Sequence, residues 1–251
     1  MKRLFGTDGI RGVAGEFPLD AETVARLGRA LAVSLPAAAG GPPRIVIGRD
    51  TRESGPAIEE ALARGVRAGG GRVDLAGVLT TPAIACVTRL EGYDAGLVVS
   101  ASHNPYRDNG IKVFAGSGEK IPDRLEMEIE RLVLDGAAAA RPEGPGPTGD
   151  PRPGPPGLGP RELKERYLAW LRSTIEAGSP LDGWHLVVDC ANGAASDLAP
   201  EILERCGAAV TSIHASPDGR NINEACGALH PEDLAAEVRS RKARLGLAFD
   251  G

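Results

Sequence analysis

The sequence predicts an α/β protein of two domains with mixed, mainly parallel sheets. Short apolar runs rich in β-branched residues alternate with stretches of helical periodicity, which is the pattern of β-α-β units. The chain has 251 residues, which at roughly 150 residues per domain allows one or two domains. Residues 142–160 include 8 prolines and 6 glycines among 19 residues, a composition that forms neither a helix nor a central strand. We therefore predict a domain boundary there.

The first domain is predicted over residues 1–140. Asp20 is placed to cap one helix and Ser54 a second, each followed by apolar residues at helical spacing. Further helices are predicted over Pro82–Leu90 and Asp123–Leu134. The predicted strands, which share a high content of apolar and β-branched residues, are Arg44–Gly48, Arg72–Gly77, Ala95–Ser100 and Ile111–Phe114.

Residues 141–160 are predicted to be a mobile linker because proline and glycine dominate their composition. A second domain is predicted over 161–251, and it opens with an amphipathic helix whose apolar face includes Leu163, Tyr167 and Leu171. The other predicted elements of this domain are the strands Trp184–Asp189, Ala208–Ile213 and Leu245–Phe249, the helix Leu198–Cys206 and a helix after Pro231.

Charge, hydropathy and cysteine patterns exclude several classes of protein. The net charge of −5 comes from 29 basic and 34 acidic residues with no basic stripe, so we expect neither nucleic acid nor a membrane surface as a partner. No apolar run approaches ~18 residues and no signal peptide is recognisable, which predicts a protein that is neither secreted nor membrane-spanning. The four cysteines form no CxxC pair, which argues against zinc and disulfides and predicts a cytoplasmic location. Dinucleotide, P-loop and hydrolase-elbow motifs are absent.

The most informative segment is the polar loop that follows the predicted strand Ala95–Ser100. Ligands bind at the carboxyl ends of strands in open α/β sheets. Ser102 could therefore be a nucleophile or a phosphate carrier, and His103 and Lys112 could handle protons or phosphate charge. A surface loop with ordinary turn residues fits the composition equally well. A hydrolytic Ser-His pair is a poor interpretation, because adjacent residues at the end of a strand point in opposite directions.

Six segments, in order along the chain, resemble motifs of the α-D-phosphohexomutase family. They are Phe5–Gly12, Gly48–Arg52, Gly77–Pro82, Ser100–Phe114, Val188–Ala194 and Asn221–Pro231. The resemblance covers nearly all of the chain outside the predicted linker. It implies two tandem phosphohexomutase-type α-β-α sandwich domains and an isomerase that moves a phosphoryl group within a hexose phosphate.

The resemblance also implies roles for individual residues. Ser102 would be phosphorylated and would exchange its phosphoryl group with the sugar through a bisphosphate intermediate. Lys112 matches the family lysine of proton transfer, Arg11 matches an arginine beside the phosphoserine, and His103 would contact phosphate or support the loop. The segments look most like the branch acting on glucosamine phosphates, so a hexosamine phosphate is the expected substrate. Glucose and mannose phosphates remain the alternatives, and a homodimer is compatible with the family.

The metal implied by the resemblance is Mg²⁺, held by a phosphoserine oxygen and by the aspartates of an Asp-Gly-Asp-x-Asp-Arg loop. Oxygen ligands of this kind suit a hard divalent cation. The phosphate on Ser102 and the carboxylate of Asp250 are the matching ligands, and the sequence stops at Gly251 before the other aspartates. The family's third and fourth domains are also absent. We therefore expect a truncated chain that is inactive alone, with a non-catalytic phosphate-binding or partner-binding module as the alternative.

The remaining polar residues of the second domain receive structural interpretations. His185 and His214 are predicted to be structural because they lie at the ends of strands. Asp189 and Asn192 are predicted to shape a turn, and His230 to make capping or loop contacts before a helix.

Overall fold

The computed structural model describes residues 4–35, 41–135, 157–175 and 178–251. Of the predicted linker 141–160, the part from 141 to 156 lies outside the described residues. Two sheets are present in the described ranges, one of five strands and one of three. The chain therefore forms two α/β units, in agreement with the predicted fold class.

The first sheet has the strand order β1-β5-β4-β2-β3. Its strands are β1 (Ile10–Val13), β2 (Arg44–Arg49), β3 (Arg72–Val78), β4 (Ala95–Val99) and β5 (Asp108–Ala115). Strand β2 pairs in parallel with β3 and β4, whereas β5 pairs antiparallel with both β4 and β1. The sheet is mixed, and its antiparallel half carries the loop between β4 and β5.

Helices cover both faces of the first sheet. They are α1 (Ala21–Ser34), α2 (Gly55–Ala68), α3 (Thr81–Leu90), α4 (Asp123–Leu134) and α5 (Pro160–Ser173). Apolar residues of α1, α2 and α4 pack with β2, β4 and β5 in one buried cluster. Residues of α3 and α5 pack with β2, β3 and β4 in a second cluster on the other face. Helix α5, predicted as the start of the second domain, thus completes a layer of the first.

The second sheet has the order β7-β6-β8, and all of its pairings are parallel. Its strands are β6 (His185–Asp189), β7 (Ala209–Ile213) and β8 (Leu245–Ala248), and its helices are α6 (Leu198–Arg205) and α7 (Glu232–Arg241). A short 3-10 turn spans Gly227–Leu229. Parallel strands direct their carboxyl ends to one edge, so Asp189, the last residue of β6, and Asp250, just after β8, lie on the same side of the sheet.

Two local predictions differ in outcome. Asp20 caps α1 by accepting hydrogen bonds from the backbone of Glu22 (3.2 Å) and Thr23 (2.9 Å), as predicted. Ser54 occupies the N-cap position of α2 as predicted, but its side chain makes no capping bond to the helix. Its hydroxyl instead accepts a hydrogen bond of 2.9 Å from Asn109 Nδ2, which draws it towards β5.

Membrane-spanning segments were expected to be absent. Among the helices of the described ranges, none combines the length and the apolar character that crossing a bilayer requires.

Candidate active site

The loop between β4 and β5 holds Ser102 in an unusual backbone conformation. Ser102 has φ of 56°, in the left-handed region that few residues other than glycine adopt. Its backbone N–H donates to the hydroxyl of Ser100 at 3.1 Å, and the N–H of Ser100 donates to the Gly110 carbonyl at 3.0 Å. The loop therefore leaves the sheet through a defined turn that projects the side chain of Ser102.

Arg52 fixes the underside of this loop. Its side chain is fully buried. The guanidinium donates to the carbonyls of Ser102 (2.8 Å), Asn104 (2.9 Å), Pro105 (2.5 Å) and Asp108 (2.9 Å). Its Nε lies 2.9 Å from Asp50 Oδ2, so the buried positive charge is paired. The sequence places Arg52 in a matched segment but indicates no role for it. The carbonyls that it binds lie 50 or more residues further along the chain.

Ser102 meets Asp250 across the boundary between the two domains. The hydroxyl of Ser102 donates to Asp250 Oδ2 at 2.5 Å. His103 lies beside the same carboxylate, with its Nδ1 3.9 Å from Asp250 Oδ2. The structure thus brings Ser102, His103 and Asp250 into one cluster.

Lys112 and Arg11 lie on the neighbouring strands β5 and β1. Lys112 lines the same cavity as Ser102 and Asp250, and its ammonium forms an ion pair with Asp8. Arg11 is exposed and pairs through its backbone with Gly110 of β5. Within the described ranges its side chain has no hydrogen bond or ion pair. Arg11 therefore lies on the strand adjacent to the serine loop, with its guanidinium open to solvent.

The cavity has a volume of about 460 Å³, within the ~300–1,000 Å³ that is usual for small-molecule sites. Its polar lining includes Asp50, Ser102, Lys112 and Asp250, and its apolar lining includes residues of α5 and α6. The cavity therefore offers both polar and apolar contacts to a small molecule.

Loops of the second domain support the Asp250 side of the site. The carboxylate of Asp189 accepts backbone N–H bonds from Ala191 and Gly227, each at 2.9 Å. The side chain of Asn192 accepts from the N–H of Ser216 at 3.1 Å. Both residues therefore shape turns, as predicted.

Asp189 and Cys226 are buried and His214 is partly exposed, and the potential ligand atoms of these three residues lie within 4.8 Å of one another. His214 Nδ1 is 3.1 Å from Asp189 Oδ2. Burial, reinforced by the charge of Asp189, raises the pKa of Cys226 to about 11, so this thiol stays protonated at neutral pH. A thiol and an imidazole are not the oxygen ligands that Mg²⁺ prefers. The group is therefore chemically unlike the metal site expected at Ser102 and Asp250.

The other histidines have local partners or lie at the surface. His185 Nε2 lies 2.9 Å from the hydroxyl of Thr211 on the paired strand β7, which fits the structural role predicted for it. The backbone N–H of His230 donates to the Gly227 carbonyl at 3.1 Å, a loop contact of the predicted kind.

Two family descriptions match this chain over most of its length. Residues 2–139 match alpha/beta/alpha domain I of phosphoglucomutase/phosphomannomutase, and residues 165–251 match domain II. Among solved structures, a phosphoglucomutase/phosphomannomutase family protein from Burkholderia thailandensis superposes with a TM-score of 0.77 at 29% identity. The superposition covers 99% of this chain and 52% of that protein.

Curated relatives are similar over the whole of this chain. A phosphoglucosamine mutase from Moorella thermoacetica is 52% identical over 257 aligned positions, covering 100% of this chain and 54% of the relative. One from Koribacter versatilis is 47% identical, covering 100% of this chain and 53% of the relative. The chain therefore spans about half the length of these relatives.

Proposed function

Because the chain belongs to the phosphoglucomutase/phosphomannomutase family, we propose that it supplies the phosphoryl-carrying part of a phosphoglucosamine mutase. This enzyme interconverts glucosamine 6-phosphate and glucosamine 1-phosphate through a bisphosphate intermediate. The relatives named above as phosphoglucosamine mutases support the choice of sugar. The carrier of the phosphoryl group is Ser102.

The observation that carries this proposal is the meeting of Ser102 with Asp250. A hydroxyl on a left-handed residue faces a carboxylate from another domain at 2.5 Å, in the wall of a cavity of sugar-phosphate size. Phosphoryl transfer depends mainly on positioning and on neutralising charge at the transferring oxygens. A serine held by two domains is suited to that requirement.

The steps are two phosphoryl exchanges between the serine and the sugar. A sugar hydroxyl attacks the phosphorus, the bond from phosphorus to Ser102 Oγ breaks, and the bisphosphate forms. The sugar then turns over and returns its other phosphoryl group to Ser102 Oγ. Lys112, entering this step as the neutral amine, is the candidate to accept the proton of the attacking sugar hydroxyl. Ser102 Oγ takes up a proton as it leaves, and the second exchange reverses both proton transfers. The fork of Arg11 and the imidazole of His103 are candidates to contact phosphate oxygens.

Asp250 and the phosphate on Ser102 are the residues that would hold Mg²⁺. Both offer oxygen donors, and the Asp250 carboxylate is half exposed, so a hard cation can reach it. When bound, the metal supplies positive charge against the transferring phosphoryl group. In the unphosphorylated chain, Asp250 accepts the hydrogen bond of the Ser102 hydroxyl in the wall of the cavity.

The experiment uses the full-length protein that carries this chain, with Mg²⁺, glucosamine 6-phosphate and a trace of hexose bisphosphate. We expect conversion to glucosamine 1-phosphate, and intact mass should show one phosphate per chain. Ser102→Ala should lose both the phosphate and nearly all turnover. Ser117→Ala is the matched control, because Ser117 is an exposed serine outside the cavity. A fully active Ser102→Ala variant would remove the serine from the mechanism.

Sugar specificity needs a separate comparison. Turnover of glucosamine, glucose and mannose phosphates at matched concentrations should favour glucosamine. A preference for glucose or mannose phosphate would instead make the protein a phosphoglucomutase or a phosphomannomutase. We also propose a cytoplasmic location, in keeping with the four buried cysteines Cys86, Cys190, Cys206 and Cys226, which are all free thiols.

A further inference from the structure

We propose that Asn223 is a positioning residue that joins the serine loop to the Asp250 loop and orients Ser102 for phosphoryl transfer. The inference rests on the proposed role of Ser102. Nothing in the resemblance assigns Asn223 a task beyond belonging to a matched segment.

The side-chain amide of Asn223 contacts both loops at once. Its Nδ2 donates to the carbonyl of Ser102 at 2.9 Å and lies 3.4 Å from the carbonyl of Asn104. Its Oδ1 accepts from the backbone N–H of Gly251 at 3.1 Å. Gly251 directly follows Asp250, so one planar amide bonds the backbone beside both partners of the Ser102–Asp250 contact.

The geometry explains why the residue is asparagine. A side-chain amide offers donors and an acceptor on one short planar group, whereas an ionised aspartate offers acceptors alone. Asn223 has φ of 59°, and asparagine is among the residues that best tolerate this left-handed conformation. Opposite it, a Cβ on Gly251 would lie 2.4 Å from Asn223 Oδ1, so the two residues are closely packed.

Asn223 and Arg52 bind the same two carbonyls from different domains. Arg52 donates to the carbonyls of Ser102 and Asn104 from below the loop, and Asn223 approaches them from the second domain. A carbonyl oxygen has two lone pairs, and the Ser102 carbonyl therefore has both acceptor positions filled. Ser102 therefore has all of these orienting hydrogen bonds only when the loop that carries Asn223 packs against the serine loop.

Other contacts hold the two domains together independently of this amide. The hydroxyl of Thr51 donates to the Asn192 carbonyl at 2.6 Å. The N–H of Glu53 donates to the Gly219 carbonyl at 2.9 Å, and the carboxylate of Glu53 pairs with Arg220 at 2.7 Å. Removing the Asn223 side chain should therefore loosen the serine loop without separating the domains.

Two variants test the proposal in the full-length protein. Asn223→Gly keeps the left-handed backbone and removes the amide, and Asn223→Asp removes the donor and keeps the shape. For both we expect kcat to fall by about tenfold or more, because small misplacements of a reacting group are costly. KM for glucosamine 6-phosphate should stay within about twofold, because the amide bonds backbone atoms and does not line the cavity.

Asn221→Gly is the matched control. Asn221 lies in the same loop, and among the described residues its side chain bonds only within that loop, to Ser216 O and Asp218 N at 3.0 Å each. Its kcat should stay near that of the wild type. An unchanged kcat in both Asn223 variants, an increase in KM alone, or an equal loss of kcat in Asn221→Gly would each overturn the proposal. A wild-type protein without mutase turnover would instead refute the proposed function, so the two failures are distinguishable.

Discussion

The ammonium group of Lys112 lies 2.8 Å from Asp8 Oδ2, so the lysine that faces the cavity is held by a carboxylate from the N-terminal loop. The side chain of Lys112 is 18% exposed and that of Asp8 56%. The exposed carboxylate of Asp8 thus orients the mostly buried side chain of Lys112. The contact joins the first matched segment of the sequence to the fourth.

We predict that Asp8→Asn lowers kcat by about tenfold, because the ammonium loses the charged partner that aims it. The free energy of unfolding should change by less than about 1 kcal/mol, since one partner is largely exposed to solvent. Steady-state kinetics and urea denaturation measure the two effects. Glu22→Gln is the control, because it removes a carboxylate from a surface pair on α1 with Arg26. An Asp8→Asn enzyme with wild-type kcat would show that Lys112 needs no partner.

Arg52→Met should destabilise the chain by about 3–5 kcal/mol, because it leaves the Asp50 carboxylate buried without its positive partner. The side chains of Arg52 and Asp50 are 0% and 2% exposed, so solvent cannot compensate. Arg67→Met on α2 is the control, because Arg67 is 52% exposed and should cost less than about 1 kcal/mol. Urea midpoints measure both changes. If Arg52→Met lowered the free energy of unfolding by as little as the control does, the prediction would be contradicted.

Gly65→Ala tests the contact between α1 and α2. A Cβ on Gly65 would lie 1.9 Å from the Ala25 carbonyl oxygen, so the helices must move apart. We expect a loss of about 1–3 kcal/mol from overpacking, even though alanine has the higher helix propensity. Gly55→Ala is the control, because its nearest neighbour is the flexible side chain of Arg49 at 3.1 Å. Thermal unfolding of the two variants should separate them, and equal melting temperatures would refute the clash.

We predict that Glu59 makes the stability of the folded chain depend on pH. Its Oε1 is buried and has no hydrogen-bond partner in the described part of the chain, and its Oε2 lies 3.4 Å from Arg49 Nε. Burial raises the pKa of Glu59 above its ordinary value of 4.5, against the attraction of Arg49. The folded state therefore binds the proton more tightly than the unfolded state, and stability falls as pH rises from 4.5 through the raised pKa.

Replacing this carboxyl group should remove that penalty. Glu59→Gln is expected to be more stable than the wild type at pH 7, with the difference shrinking as the pH falls towards 4.5. Glu22→Gln is the control, because Glu22 is an exposed carboxylate on a different helix, α1. Thermal melts across this pH range measure the effect. If the stability difference between Glu59→Gln and the wild type instead grew as the pH fell, the prediction would be contradicted.

The order of helices and strands could be predicted because each depends on local spacing of apolar residues. The pattern in α1, with its cap at Asp20, lies within a few consecutive turns of chain. Strand β1 was not predicted, because its four residues include Arg11 and Gly12 and become a strand only by pairing with β5. The packing of α5 against the first sheet could not be predicted either. An amphipathic pattern shows that a helix has an apolar face but not which surface covers that face.

The sequence by itself determined the fold class, the family and the residue types of the candidate site, because these reside in short segments such as Ser100–Phe114. Only the tertiary structure decided which of these segments meet. Ser102 contacts Asp250 across 148 residues of chain, and Asn223 contacts Ser102 across 121. Hydrogen bonds act over about 3 Å. Partners so distant in sequence are therefore selected by the packing of two domains, which no local pattern encodes.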